Sequence, residues 1–306
     1  MTTPGRFRSS GSDAAHEPVL VREVVSWLRP HAGGLYVDGT VGLGGHAAAL
    51  LGAGAGRVIG LDRDEAALAV AREGLAWAGD RVTLLHADYR NLDEALASQA
   101  VTQADGLLVD LGVSSLQLDD AARGFSFRQA GALDMRMDRS SGATLAERLA
   151  AVDEATLADV IFRYGEERRS RRVARAILDA RDRGDLGDTL ALARAVRRGA
   201  GAGRWQRIDP ATRTFQALRI WVNDELDGFD RFLESAASRL VSGGRLAVIA
   251  FQSLEDRVVK HTFRRLAASG PAFALATKRA VRPGDDEVAA NPRARSARLR
   301  VLEKAA

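Results

Sequence analysis

The stretch Gly34-Leu-Tyr-Val-Asp-Gly-Thr-Val-Gly-Leu-Gly-Gly-His46 decides the fold of this chain. It begins as a short apolar strand that ends at Asp38, continues as a glycine-dense turn, and leads into a helix that starts near Ala47. A strand, a glycine turn and a helix N-terminus together leave backbone N–H groups open to a close approach by an anion or a polar cofactor. This order predicts the first unit of an α/β sheet with a cofactor site at the turn.

A second apolar strand, Arg57-Val-Ile-Gly-Leu61, ends at Asp62, which stands twenty residues after Gly42. A nucleotide-binding βαβ unit places the acid that binds a ribose at about this distance. Asp62 is therefore a candidate for binding the ribose of a nucleotide-containing cofactor.

The glycine spacing indicates which cofactor the turn suits. The glycines do not follow the dinucleotide pattern G-x-G-x-x-G; they are Gly39, Gly42, Gly44 and Gly45. S-adenosyl-L-methionine (SAM) carries an ammonium and a sulfonium and no pyrophosphate, so a carboxylate beside the turn, Asp38, suits it better than it suits NAD. The pattern favours SAM over NAD, and a plain α/β turn in which Asp38 caps the next helix is the alternative.

Length and composition indicate a soluble cytoplasmic protein of one large domain or two ordinary ones. The chain has 306 residues, of which 46% are hydrophobic and 27% charged, and it has no apolar run long enough to span a membrane. Residues 1–15 are polar and lack the apolar core of a signal peptide, which predicts a disordered tail. The chain contains no Cys, which excludes disulfides, Cys-ligated metals and a thiolate nucleophile.

Positive charge is concentrated in one part of the sequence. Residues 163–207 contain thirteen Arg, no Lys and six acidic residues, a local charge of +7 in a chain whose net charge is +4. A basic region on a mildly acidic body is typical of a nucleic-acid footprint. An arginine-rich solvated helix is the alternative.

Acidic residues stand at the ends of three predicted strands. Asp110 stands at the carboxyl end of the strand Gly106–Leu111, one residue before its last, and joins Asp38 and Asp62 in this position. Ligands of open α/β sheets collect at the carboxyl ends of the strands, so these acids are candidate cofactor ligands. Tyr89 follows the strand Arg81–His86, where it either stacks on an adenine or packs against the next helix.

From about Leu116 the alternation of strands and helices gives way to helical patterns alone, and Asp209 and Pro210 then begin a new helix as N-cap and first residue. The sequence therefore predicts a Rossmann-like α/β domain of residues 16–115 and 209–306 with an inserted all-helical domain of residues 116–208. One helix of the insertion is predicted over Glu166–Asp182. It places four arginines on one face, namely Arg168, Arg171, Arg172 and Arg175.

Several spaced motifs resemble those of the bacterial MraW-type (RsmH-type) methyltransferases, which use SAM to methylate N4 of a cytidine in small-subunit ribosomal RNA. The similarity runs from His16 to Lys304. The matching stretches are His16-Glu-Pro-Val-Leu20, Asp110-Leu-Gly-Val-Ser-Ser-Leu-Gln-Leu-Asp119, Arg123-Gly-Phe-Ser-Phe127, Leu133-Asp-Met-Arg-Met137, Tyr164-Gly-Glu-Glu-Arg168, Pro210-Ala-Thr-Arg-Thr-Phe-Gln-Ala-Leu-Arg-Ile220, Ser253-Leu-Glu-Asp-Arg257 and Asn291-Pro-Arg-Ala-Arg-Ser-Ala297.

The resemblance implies a class I SAM-dependent methyltransferase that acts on 16S ribosomal RNA, within a small ribosomal subunit or its precursor. It leaves the oligomeric state open, with a homodimer as one alternative. The SAM contacts that it implies come from Gly44, Gly45, His46, Asp62, Tyr89, Asp110 and Gln117. Two positions depart from the family pattern, since Tyr89 replaces a Phe and Gln252 replaces a His. An amide cannot titrate, so Gln252 cannot take over proton transfer from that His.

For the chemistry, we expect Asp110, with Ser114 or Ser115, to accept hydrogen bonds from the target amine and align its lone pair with the methyl–sulfur bond. The base must leave its stack to reach the cofactor, and Phe125, Phe127 or Trp205 are candidates for sandwiching it. The arginine face would hold the RNA backbone. No metal is required.

Three alternatives remain open at the level of the sequence. One is a nicotinamide-dependent oxidoreductase, which the glycine spacing disfavours. Another is a non-catalytic RNA-binding or ribosome-assembly factor with the same fold. The third is an N4-cytosine methyltransferase that acts on another nucleic acid, although the chain lacks the Pro-Pro-aromatic tetrapeptide of the DNA enzymes.

Overall fold

A computed structural model describes residues 18–201 and 209–306 of the chain. These residues form two compact units, the first made of residues 18–112 and 228–306, the second of residues 113–227 without the gap. None of the described helices is both long and apolar enough to cross a membrane.

In chain order, the described helices and strands are α1 (Val21–Leu28), β1 (Leu35–Asp38), α2 (Gly45–Gly52), β2 (Arg57–Asp62), α3 (Glu65–Gly74), β3 (Val82–His86), α4 (Leu92–Ser98), β4 (Ala104–Asp110), α5 (Ser115–Asp119), α6 (Leu145–Ala151), α7 (Glu154–Gly165), α8 (Ser170–Asp182), α9 (Thr189–Ala200), α10 (Pro210–Asn223), α11 (Phe229–Ser238), β5 (Leu240–Ala250), α12 (Ser253–Ala268), β6 (Phe273–Leu275), α13 (Asp285–Ala290) and β7 (Arg298–Lys304).

The first unit is built on a seven-stranded sheet with the order β3-β2-β1-β4-β5-β7-β6. In this order, the first five strands, β3, β2, β1, β4 and β5, are parallel to one another. Strand β7 then pairs antiparallel with β5, and β6 pairs antiparallel with β7. Residues on β1 alternate between two apolar clusters, with Val37 in one and Tyr36 in the other. Such two-sided burial explains why the parallel strands are almost continuously apolar, and it confirms the predicted α/β fold.

The second unit is helical, with a core drawn from α6 to α10. The sequence predicts the end of this unit at residue 208, whereas the structure extends it to Asp227. The reason is that α10 packs its apolar face into the helical core through Phe215 and Leu218. Asp209, the predicted N-cap of α10, accepts the N–H of Ala211 at 2.9 Å and pairs with Arg197 of α9 at 2.7 Å.

One buried amide helps to hold an irregular segment of the second unit in place. Asn223, at the end of α10, accepts the Met137 N–H at 2.7 Å and donates to the Met135 carbonyl at 2.8 Å. Its Nδ2 also donates to the Arg219 carbonyl at 2.9 Å. Because Met135 adopts a left-handed backbone, with φ of 59°, these bonds fix a conformation that the segment would not otherwise favour.

We predict that Asn223→Ala destabilises the protein by about 2–4 kcal/mol, because it leaves a buried N–H and a buried carbonyl without partners. Arg213→Ala, an exposed change on the same helix, should stay within about 0.5 kcal/mol of wild type. Urea unfolding followed by circular dichroism measures both. Equal unfolding midpoints for the two variants would show that the amide does not anchor the segment.

Candidate functional site

The three predicted strand-end acids lie at one edge of the sheet in the first unit. Asp62 ends β2, Asp38 ends β1 and Asp110 ends β4, and these strands are neighbours and parallel. Their carboxyl ends therefore meet at the same edge. This arrangement confirms the prediction that all three acids lie at the same side of the sheet.

Asp62 organises the glycine turn. Its two carboxylate oxygens accept the N–H groups of Gly42, at 2.8 Å, and Asp64, at 2.9 Å. Gly42 and Gly44 have φ of 52° and 89°, in the left-handed region that favours glycine. Burial raises the pKa of Asp62, and the two N–H groups oppose that rise. A ribose contact by Asp62 stays a prediction.

Asp38 is fully buried and only half satisfied. Its Oδ1 accepts the Thr40 N–H at 3.2 Å, while its Oδ2 has no hydrogen-bond partner among the described residues. Burial, with a smaller contribution from the negative charge of Asp62, raises the pKa of Asp38 from 3.8 to about 7. A cation at this position would reverse that rise, because it favours the ionised form.

Asp110 repeats this pattern on the next strand. Its Oδ1 is buried without a partner among the described residues, and its backbone N–H donates to Thr40 Oγ1 at 2.6 Å. Burial, together with the charges of Asp38 and Glu255, raises the pKa of Asp110 well above its ordinary value. Thr40 thus ties the ends of β1 and β4 together through its backbone and its side chain. The result is a row of carboxylates with too little positive charge nearby.

His46 and Gly45 begin α2 beside this row. His46 is buried and its Nε2 donates to the Val19 carbonyl at 2.9 Å, which places a proton on Nε2. Its Nδ1 then faces Asp110 Oδ2 at 3.8 Å. A Cβ on Gly45 would lie 2.6 Å from Pro18 Cγ, so this glycine is needed for close packing. These contacts give His46 a structural role at the helix start, and cofactor contacts by either residue stay predictions.

Tyr89 lies in the core of the first unit. Its ring is 4.7 Å from that of Phe232 and 6.1 Å from that of Phe229, measured between centroids, and the residue is 7% exposed. Tyr89 is thus a packed core residue whose ring contacts lie on α11 and not on the next helix, α4, while stacking on an adenine stays a prediction.

Sequence reasoning missed two residues of this edge, Thr40 and Glu255. Glu255 is buried in the first turn of α12 and accepts the N–H groups of Phe251, at 3.0 Å, and Gln252, at 3.2 Å. An acid three residues into a helix is a recognisable capping signal, so Glu255 was open to prediction. Thr40 carries no such signal, because its hydroxyl contact spans 70 residues of sequence.

Ser114, Ser115 and Gln117 belong to the second unit, at the start of α5. Ser114 Oγ accepts the Gln117 N–H at 3.2 Å, and Gln117 Oε1 accepts the Ser114 N–H at 3.1 Å. This reciprocal cap gives both side chains a local structural role. Their predicted roles in chemistry and cofactor binding stay predictions.

The predicted arginine face is shorter than the sequence suggests. The helix α8 begins at Ser170 and not at Glu166, because Glu166 ends α7 in a left-handed conformation with φ of 51°. Arg168 therefore precedes the helix, whereas Arg171, Arg172 and Arg175 are exposed on it. Arg175 pairs with Glu154 at 2.9 Å, which partly offsets its charge.

These arginines line a cleft of about 560 Å³ between α8 and α9, hereafter the arginine cleft. Gly199 of α9 permits the close approach of the two helices, since a Cβ there would lie 2.6 Å from Val173 Cα. The charged residues that line the arginine cleft are Arg171, Arg172, Arg175, Asp179, Arg183 and Arg198. Among the residues that the structure describes, Arg171, Arg172 and Arg198 form no ion pair, so the cleft keeps an uncompensated positive charge.

The aromatic candidates for holding a base are in packed positions. Phe125 is 7% exposed, and the ring of Phe127 lies 4.8 Å from that of Phe215 in the helical unit. Trp205 lies outside the described residues. Phe125 is buried and Phe127 is partly buried against the helical core, and their roles in holding a base stay predictions.

Comparison with known proteins shows the family of this chain. The sequence model of the MraW methylase family matches residues 13–305. A ribosomal RNA small subunit methyltransferase H from Sorangium cellulosum is 55% identical over 289 residues, which cover 94% of this chain and 90% of that protein. Proteins of the same name from Nitrobacter winogradskyi and Geobacter sp. (strain M21) are 49% and 48% identical, over 94% and 95% of this chain and 90% and 99% of their own lengths. The chain belongs to the MraW methylase family.

Proposed function

We propose that this chain transfers a methyl group from SAM to N4 of a cytidine in 16S ribosomal RNA, and that it does so in the cytoplasm. The relatives that it matches almost end to end are named as small-subunit ribosomal RNA methyltransferases. The structural observation that carries the proposal is the row of under-compensated carboxylates at the carboxyl edge of the parallel strands.

The residues present fit SAM. Asp38 Oδ2 and Asp110 Oδ1 are buried acceptors without partners among the described residues, and SAM brings an ammonium and a sulfonium to such a site. Asp38 would face the cationic part of SAM, Asp110 would lie between that cation and the acceptor amine, and Asp62 would face the ribose hydroxyls. The remaining proposed contacts come from the turn, α2 and the two flanking segments, namely Gly42, Gly44, Gly45, His46, Tyr89 and Gln117.

Bound SAM supplies an activated methyl group, and the chain supplies placement. The cytosine amine is a poor nucleophile because its lone pair is delocalised into the ring. An acceptor at Asp110, assisted in our proposal by Ser114 or Ser115, would hold an N–H of the amine and orient its lone pair toward the methyl carbon. Holding two reactants in line can account for much of a methyl-transfer rate enhancement.

The decisive experiment is methyl transfer from labelled SAM, with small-subunit RNA from cells that lack this gene. We expect one cytidine to gain a methyl group, mapped by mass spectrometry, on either free RNA or the assembled subunit. RNA binding without transfer would support the assembly-factor alternative. Transfer to DNA but not to ribosomal RNA would support the third alternative.

Replacing Asp38 should have opposite effects on stability and cofactor binding. Because its pKa is about 7 in the folded protein and near 3.8 when unfolded, wild-type stability is lost as the pH rises from about 4 through about 7. The stability gain of Asp38→Asn over wild type should therefore grow across this range. Above pH 7 the gain should level off at no more than ~4 kcal/mol, since one pKa unit is worth about 1.4 kcal/mol. SAM affinity should fall at least tenfold, because a counter-charge is lost.

Urea unfolding between pH 4 and 8 and calorimetry with SAM measure these two effects. Asp80→Asn, an exposed change in the same unit, tests for a general effect of removing a carboxylate. A pH-independent stability difference together with unchanged SAM affinity would show that Asp38 does not face the cofactor.

We further propose that the arginine cleft binds the RNA backbone, with Arg168 and Arg175 in lesser roles than Arg171 and Arg172. Arg172→Ala and Arg198→Ala should each weaken RNA binding and lower the slope of log affinity against log salt by about 0.7–0.9 for each phosphate that the variant no longer neutralises. SAM affinity should not change. Arg194→Ala is the matched control, because Arg194 is exposed on α9 but does not line the cleft. Equal losses in all three variants would argue against a localised site.

A further inference from the structure

The carboxyl edge of the sheet holds another buried acceptor besides those of Asp38 and Asp110. Gln252 follows β5, and its Oε1 is buried without a hydrogen-bond partner among the described residues. β5 lies beside β4, with Asp110 opposite Ile249 and the Leu111 N–H donating to the Ile249 carbonyl at 2.9 Å. Gln252 and Asp110 therefore stand at the ends of adjacent strands, and each presents one unsatisfied oxygen.

The backbone around Gln252 is held firmly. Glu255 Oε2 accepts the N–H groups of both Phe251 and Gln252, and α12 begins at the next residue, Ser253. Gln252 and Glu255 form a capping box in which the Gln252 side chain faces the Glu255 N–H, but this contact lacks hydrogen-bond geometry and leaves Gln252 Oε1 without a hydrogen-bond partner among the described residues. A buried amide oxygen without a partner costs about 1–3 kcal/mol. A rigid strand–helix junction that keeps such an oxygen inside the protein indicates that a ligand donor completes it.

We propose that Gln252 and Asp110 together hold the acceptor amine, with each unsatisfied oxygen accepting one of its two N–H groups. This inference rests on the proposed function and identifies Gln252, instead of Ser114 or Ser115, as the second acceptor. Two acceptors fix the plane of the amine, so its lone pair, perpendicular to that plane, can point at the methyl carbon.

The reacting groups account for every bond and proton of the methyl-transfer step. The nitrogen lone pair forms the N–C bond while the methyl–sulfur bond breaks and its electron pair stays on sulfur. The proton that nitrogen then loses passes to the Asp110 carboxylate and on to water. Gln252 keeps a hydrogen bond throughout, because an amide neither takes nor gives a proton in this range.

The same pair of acceptors selects the base. Cytosine presents a donor amine at C4, whereas uracil presents a carbonyl oxygen there. With uracil, the two acceptor oxygens and the carbonyl oxygen of the base would face one another with no hydrogen to share. This repulsion between three acceptors disfavours the binding of uracil.

The test compares Gln252→Leu, which removes the acceptor, with Gln252→Glu, which keeps one. Gln252→Leu should lower kcat about 10- to 100-fold, with SAM affinity within about twofold of wild type, because one positioning hydrogen bond is lost. Gln252→Glu should retain more activity at high pH and lose it on acidification, since a protonated carboxyl loses acceptor capacity. The wild type should not show that added pH dependence. Gln129→Leu, an exposed change, is the matched control.

The outcomes separate this inference from the proposed function. A wild type that transfers no methyl group contradicts the function itself. An active wild type with Gln252→Leu at full kcat, or with SAM affinity reduced as much as kcat, contradicts the role of Gln252 and leaves the function standing. If the activity of Gln252→Glu depends on pH in the same way as that of the wild type, the role of Gln252 is also contradicted.

Discussion

Buried polar oxygens without partners are rare because each one costs free energy, and the described part of this protein keeps three of them at one edge of one sheet. They belong to Asp38, Asp110 and Gln252, at the ends of β1, β4 and β5. The sheet order sets these strands side by side, so the cost is concentrated where a cationic cofactor and an amine donor would offset it. The hydrogen bonds of Thr40 and the capping by Glu255 hold the edge in shape without satisfying those oxygens.

The three acids at this edge have different roles. Asp62 uses both oxygens on the backbone of the glycine turn and so shapes the site. Asp38 and Asp110 each leave an oxygen over for a ligand. All three residues stand at a strand end, and the number of local N–H groups decides which of them keep an oxygen without a protein partner. Asp62 can still accept from a ribose hydroxyl, because each of its carboxylate oxygens has a second lone pair.

Much of the first unit follows from local signals in the sequence. Apolar runs in the sequence locate the strands. Because the strands are parallel, the acids that follow them must lie at the same, carboxyl edge of the sheet. The limit of the helical unit was wrong because α10 looks the same whichever core it joins, and only the packing of Phe215 and Leu218 decides. The start of α8 was wrong because the arginine spacing begins at Arg168, whereas the backbone turns left-handed at Glu166 and α8 begins only at Ser170. The contacts of Thr40 and Asn223 join distant parts of the sequence, so no local pattern predicts them.

The chain order of the two units has a consequence for biosynthesis. The helical unit is continuous in sequence, whereas the sheet needs β5 and β7 from the last part of the chain. As the nascent chain leaves the ribosome, the helical unit can fold while β4 still presents an open edge of unpaired N–H and carbonyl groups. Strand β5 must then dock beside β4 after the intervening helices have formed. Gln252 and Glu255 arrive with this later strand, so the carboxyl edge is completed only after the whole helical unit has been synthesised.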